Sequence, residues 1–103
     1  MDYKVYLDDE RDPKGEGWDV VRDYESFVDL ILEKGLPTKI SFDHDLGENS
    51  LSGYDAAKWL IDYGLDNDIP VEEIDISVHS ANPVGAKNIR GIFKSFKRFK
   101  KEV

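Results

Sequence analysis

Two periodicities alternate along the chain. Residues 3–8, Tyr3 to Asp8, carry β-branched and aromatic residues and stop at a polar pair, which predicts a first strand. Asp12 to Gly17, with Pro13, Gly15 and Gly17, is a turn-rich connection, and Trp18 to Arg22 predicts a second strand. From Glu25 to Lys34 the spacing is helical: Phe27, Leu30 and Ile31 share one face, and Gly35 and then Pro37 stop the helix. A third strand over Lys39–Asp43 holds Ile40 and Phe42 and empties into a polar loop from His44 to Ser50. The second helix starts near Ser52 and Gly53, turns Ala56, Ala57, Leu60 and Ile61 inward, and ends near Gly64. In the fourth strand, Ile74–His79, the residues Ile74, Ile76 and Val78 alternate with Asp75, Ser77 and His79, the pattern of a sheet edge with one well-packed face. The third helix begins at Pro83 behind an Asn82 cap and runs to Lys101. Ile89, Ile92, Phe93, Phe96 and Phe99 form its apolar stripe, and Lys87, Arg90, Lys94, Lys97, Arg98 and Lys101 its basic face.

Strands alternating with helices predict an α/β fold with a mainly parallel sheet. The first link is the exception, because parallel neighbours usually need a crossover of about a dozen residues or more. Only eight residues lie between Asp9 and Trp18, so a hairpin is an alternative there. A length of 103 residues suits one domain over 1–103 with a single core. The absence of cysteine excludes thiol nucleophiles, disulfides, Cys-ligated zinc and iron–sulfur sites. Apolar runs are far shorter than the roughly 20 residues of a membrane span, and the start of the chain lacks a secretory pattern. The expectation is a soluble cytoplasmic monomer with no membrane partner.

Charge changes the picture at one end. The chain has 14 Lys+Arg against 22 Asp+Glu, a net charge of -8, but residues 87–103 hold 7 of the basic residues and one acid. An acidic body does not bind nucleic acid over its whole surface. The basic helix 83–101 reads either as a solvated face or as a weak RNA contact.

Polar chemistry gathers where strands end: Asp8 and Asp9 after the first, Asp43, His44 and Asp45 after the third, His79 and Ser80 after the fourth. Ligands of open α/β sheets bind outside the carboxyl ends of the strands. With strand order 2-1-3-4 the three clusters converge on one cleft and both histidines can face it. Two carboxylates about 4 Å apart repel by roughly 4 kcal/mol at an effective dielectric near 20, so the aspartates need an offsetting charge. A divalent cation, the Arg11 guanidinium or a protonated histidine would supply it. Oxygen ligands suit magnesium, and two histidines add manganese or zinc. Plainer readings stand beside these: Asp8 and Asp9 as a solvated turn, Arg11 paired with Asp9 or Asp12, residues 80–83 as a helix cap, and Trp59 as core.

Four stretches, taken together, resemble the motif series of the cyclic-phosphate-processing receiver-like domain family. They are Leu7-Asp8-Asp9-Glu10-Arg11-Asp12-Pro13, Ser41-Phe42-Asp43-His44-Asp45-Leu46-Gly47, Gly53-Tyr54-Asp55, and the run from Val78 through His79, Ser80, Ala81, Asn82, Pro83, Val84 and Gly85 to Ala86. The resemblance implies a receiver-like, flavodoxin-like three-layer sandwich: a four-stranded sheet of order 2-1-3-4 with a parallel second strand, three helices and no fifth strand. It implies a metal on Asp8, Asp9 and Asp43, the last matching the phosphoryl-accepting position of receivers. The sequence departs from receivers by lacking the fifth strand's lysine and by placing His44 and His79 at the site. The activity so implied is a metal-assisted phosphoesterase on cyclic phosphates of RNA ends or nucleotides. His44 and His79 would be its acid and base, with Asp45 orienting His44, Arg11 and Ser80 contacting phosphate, and Asn82 also binding substrate. The alternative is a non-catalytic receiver-like module that binds a divalent metal or phosphate and signals to a partner.

Overall fold

A computed structural model describes residues 2–102. Its elements are β1 (Lys4–Leu7), β2 (Trp18–Val21), α1 (Tyr24–Lys34), β3 (Lys39–Phe42), α2 (Gly53–Asn67), a 3₁₀ turn (Val71–Glu73), β4 (Asp75–Val78) and α3 (Pro83–Glu102). The strands form one sheet of order β2-β1-β3-β4, and every neighbouring pair is parallel. The four-stranded receiver-like architecture with three helices is therefore as expected, and the hairpin alternative for the first link is excluded. Lys4 lies opposite Trp18 and Leu7 opposite Val21. The connection is short because it carries no helix. Gly15 and Gly17 turn it at positive φ (93° and 88°), and Arg22 pins it by donating to the carbonyls of Asp8 (3.2 Å) and Arg11 (2.7 Å) and to the Asp12 carboxylate (2.6 Å).

That missing helix also decides the layering. Both helical crossovers, β2–α1–β3 and β3–α2–β4, advance in the same direction across the sheet, and right-handed connections then put their helices on the same face. α3 joins the row beside α2, and Val5, Leu7, Ile40 and Phe42 from the sheet share one core with residues of all three helices. The sandwich consequently has two layers where three were expected. The β1–β2 link would have supplied a helix for the opposite face, and it holds only turns. Phe42 sits at the centre of the core between Phe27 of α1 and Phe93 of α3, with ring centroids 5.6 and 5.5 Å away. Fully burying each such side chain contributes about 1.5–3 kcal/mol. The uncovered face carries Lys4, Tyr6, Trp18, Lys39 and Ser77, with Lys4 over the Trp18 ring at 4.6 Å.

Local chemistry sets the boundaries. Asp23 caps α1 by accepting from Ser26 N, and a capping box between Ser52 and Asp55 opens α2. β1 stops one residue before Asp8, whose carboxylate turns the chain by accepting from the amides of Glu10 and Arg11. α2 runs past the expected stop at Gly64 and ends instead at Asp68, a left-handed cap (φ 54°). Gly64 is there for close packing: a Cβ would lie 2.6 Å from Val71 Cγ2. Phe99, expected on the apolar stripe of α3, is exposed.

Candidate functional site

Asp8 follows β1 and is almost completely buried. Its Oδ1 accepts from Glu10 N (2.9 Å) and Arg11 N (2.8 Å); its Oδ2 accepts from Arg11 Nε (2.9 Å) and meets His79 Nε2 (3.0 Å). Burial pushes the Asp8 pKa up, but the two amides, His79 and the Arg11 charge outweigh it and hold the group below the ordinary carboxylate value. Arg11 pairs with Asp8 rather than with Asp9 or Asp12. Its Nη2 also reaches 3.6 Å from Asp43 Oδ1 and 3.4 Å from the His79 carbonyl, so one guanidinium ties the ends of β1, β3 and β4 together.

His79 is held at both nitrogens. Nε2 meets Asp8, Nδ1 lies 2.7 Å from Ser41 Oγ, and the ring stacks on Tyr6 with centroids 4.2 Å apart. Ser41 and Tyr6 are opposite one another in the β1–β3 register, on the uncovered face of the sheet. His79 is thereby locked against Asp8.

The end of β3 is organised by two glycines. Gly53 donates its amide to the His44 carbonyl (2.8 Å), and a Cβ there would lie 1.8 Å from the Asp43 carbonyl oxygen, so only glycine lets α2 start this close to β3. Gly85, in the first turn of α3, lies under the His44 ring, where a Cβ would stand 2.3 Å from Cγ. Asp43 Oδ1 accepts from His44 N (2.8 Å), and His44 Nδ1 lies 2.9 Å from Asp45 Oδ1. The bond to His44 holds the Asp45 pKa below the ordinary carboxylate value, and a longer one from Asn82 Nδ2 (3.4 Å) adds to it. His44 Nε2 has no hydrogen-bond partner among the described residues.

A pocket of about 540 Å³ opens over these strand ends, lined by Asp8, Asp9, Glu10, Arg11, Asp43, Asp45, Gly47, Glu48 and Ala81. It gathers carboxylates that follow β1 and β3 around a single guanidinium. The two imidazoles are one contact behind its wall, His79 through Asp8 and His44 through Asp45. Ser80 and Asn82 do not line it. Ser80 Oγ accepts from Asn82 N, and Asn82 Oδ1 accepts from Gly85 N, so the segment forms the cap of α3.

Carboxylate oxygens of Asp8, Asp9 and Asp43 lie within 4.8 Å of one another. Oxygens on opposite sides of a magnesium ion stand about 4.2 Å apart, and of calcium about 4.8 Å, so this hard-donor set fits a small divalent cation after slight contraction. Asp9 and Asp43 are its freer members. Asp8 has all four of its acceptor positions filled and joins only when Arg11, half exposed, swings away.

Sequence reading passed over Tyr6, Ser41 and Arg22. The signal for the first two was present: both occupy the face that Asp8 and His79 share by period-2 alternation. Arg22 carried no pattern.

A parallel 2-1-3-4 sheet with acids at the carboxyl ends of β1 and β3 defines a receiver-like α/β domain. Residues 3–95 match the family described as Cyclic-phosphate processing Receiver domain, and the chain belongs to that family. No curated protein and no solved structure matches it.

Proposed function

We propose that the pocket at the ends of β1 and β3 opens a cyclic phosphate by metal-assisted hydrolysis. The observation carrying this reading is the meeting of Asp8, Asp9 and Asp43 oxygens within 4.8 Å, beside the Asp45–His44 pair. So many carboxylates repel a phosphate anion; Asp9 and Asp43 would hold a divalent cation, which would reverse the field and supply Lewis-acid polarisation of a phosphoryl oxygen. Arg11 presents its remaining N–H groups to phosphate while Asp8 fixes the guanidinium. The Asp45–His44 pair, whose Asp45 lines the pocket while His44 Nδ1 holds it from behind, supplies the base that takes a proton from the attacking water. The water oxygen bonds to phosphorus, the P–O bond to one ribose oxygen breaks, that oxygen takes up the proton held by the base, and a phosphomonoester leaves. His79 holds Asp8 in place and touches no substrate.

The test is turnover of 2′,3′-cyclic nucleotides by purified protein with magnesium, manganese or zinc. His44→Ala is expected to lower kcat about 10²-fold or more. His79→Gln is expected to act more weakly, by loosening Asp8. Full activity in His44→Ala would remove the base from the scheme.

One observation favours a second reading, a non-catalytic module that binds metal or phosphate. Asp8 and His79 are saturated by protein partners, so this half of the site is stable without ligand. Its mark is a metal-dependent rise in Tm with no turnover of any cyclic phosphate.

A further inference from the structure

The described residues contain no fifth strand, so β4 is an edge of the sheet, and α3 runs beside it. Asp75 N and His79 N donate to β3, so the even-numbered residues of this stretch turn their backbone groups outward. α3 takes two of those outward carbonyls: Lys97 Nζ donates to Ile74 O (2.8 Å) and Arg90 Nη2 to Val78 O (3.3 Å). Cations seated on an edge strand guard it against pairing with another strand. What they leave is a groove of about 460 Å³ floored by Ile76 and Phe93 and walled by Arg90, Lys94, Lys97, Arg98 and Lys101, with no acid among its lining residues. That wall stands out on a protein whose net charge is -8. Arg90, Lys94 and Arg98 are exposed and recur every four residues, about 6 Å apart along the helix and about 12 Å from first to last. Lys94 has no carboxylate partner among the described residues, and Arg98 has only the exposed Glu102 at 3.5 Å.

α1 carries the matching row. Glu25, Asp29 and Glu33 are exposed and recur at the same spacing, so their carboxylates line one side of the helix over the same length. Among the described residues, Lys34 is the one charged residue of α1 in a salt bridge. Leu32, three residues after Asp29 and beside that row, is 57% exposed. An acid row edged by an apolar side chain on α1 thus answers a cation row edged by an apolar floor on α3. One chain cannot join the two, because α2 packs between α1 and α3. A nucleic-acid strand would meet the cations and leave the floor unused, since Phe93 is buried and offers no ring face on which a base could stack.

We infer that the α3–β4 groove is the docking site for α1 of a second copy of this chain. The two surfaces are different patches, so the contact is head-to-tail and repeats into a ring or an open series. Neither surface contains a residue that lines the strand-end pocket, so the association stands apart from the hydrolysis proposed above.

The experiment is sedimentation velocity of the full chain over a range of protein and salt concentrations. Association is expected at protein concentrations on the order of 0.1 mM in low salt, as for a small, charge-dominated contact. It is expected to be lost in about 1 M salt, where the screening length falls to about 3 Å. Asp29→Lys/Glu33→Lys and Lys94→Glu/Arg98→Glu alter only exposed positions, and circular dichroism checks that each keeps its helices. Either variant alone is expected to sediment as a monomer, because its ridge and its groove carry like charge. An equimolar mixture of the two is expected to associate again, since every contact in an alternating series joins opposite charges. Wild-type protein that stays monomeric, association that persists in either variant, or a mixture that does not associate overturns the assignment. So does a single-stranded oligonucleotide that occupies the groove of a monomeric wild type and is lost in Lys94→Glu/Arg98→Glu, a result that would give the groove to nucleic acid.

Discussion

Asp8 is buried and carries its charge there because four donors converge on two oxygens: the amides of Glu10 and Arg11, the Arg11 guanidinium and His79. Asn in its place keeps the shape but offers one acceptor oxygen, and it points an amide at donors that remain buried. Asp8→Asn is expected to cost about 2–4 kcal/mol of stability at neutral pH, read from urea unfolding. The sign with pH follows from the lowered pKa. The stabilisation from the carboxylate is complete above the unfolded-state value of about 3.9 and is lost as pH falls through the lower folded-state value. The gap between wild type and variant is therefore expected to close below about pH 4, and a gap that widens in acid would contradict the account. This residue was visible in the sequence as half of an acidic pair at a strand end. Its pairing with Arg11 was not, because Asp8, Asp9 and Asp12 all lie within three residues of Arg11, and the backbone turn after Asp8 selects among them.

At the scale of elements, the site depends on how closely α2 and α3 approach the end of β3. Gly53 and Gly85 set those distances in different ways. A Cβ at Gly53 meets the Asp43 backbone, which cannot move without shifting the strand, so Gly53→Ala is expected to cost about 3 kcal/mol or more. A Cβ at Gly85 meets the His44 ring, which can rotate away, and the His44 Cβ at 2.8 Å, which moves only with a small backbone shift. Gly85→Ala is expected to cost about 1–2 kcal/mol, less than Gly53→Ala and partly offset by helix propensity, while lowering kcat as severely as a change at His44 itself. Thermal unfolding and turnover measured on both variants check this pair, and equal stability losses would contradict it. Helix and strand identities were legible because period-2 and period-3.6 patterns were clean in Ile74–Val78 and Ile89–Phe96. Gly64 was misread as a stop because glycine marks both helix ends and close contacts, and only the position of Val71 distinguishes the two.

For the whole molecule, the sequence order of strands and helices was enough to bring Asp8, Asp9, Asp43 and Asp45 into one pocket, since parallel strands in the order 2-1-3-4 carry their carboxyl ends to the same rim. The layer count depends on which link carries a helix, and the turn-rich segment from Asp12 to Gly17 already carried none; the three-layer expectation came from the resemblance and not from the residues of that link. Charge separates in the same economical way, with an acidic rim over the strand ends and a basic wall along α3. The most direct test of the chemistry is a phosphorus NMR time course of a 2′,3′-cyclic phosphate substrate with the protein and a divalent metal. The cyclic-phosphate resonance is expected to give way to that of a phosphomonoester with the wild type and to persist with Asp43→Asn. A ring that stays closed with the wild-type protein under magnesium, manganese and zinc would contradict the proposed chemistry.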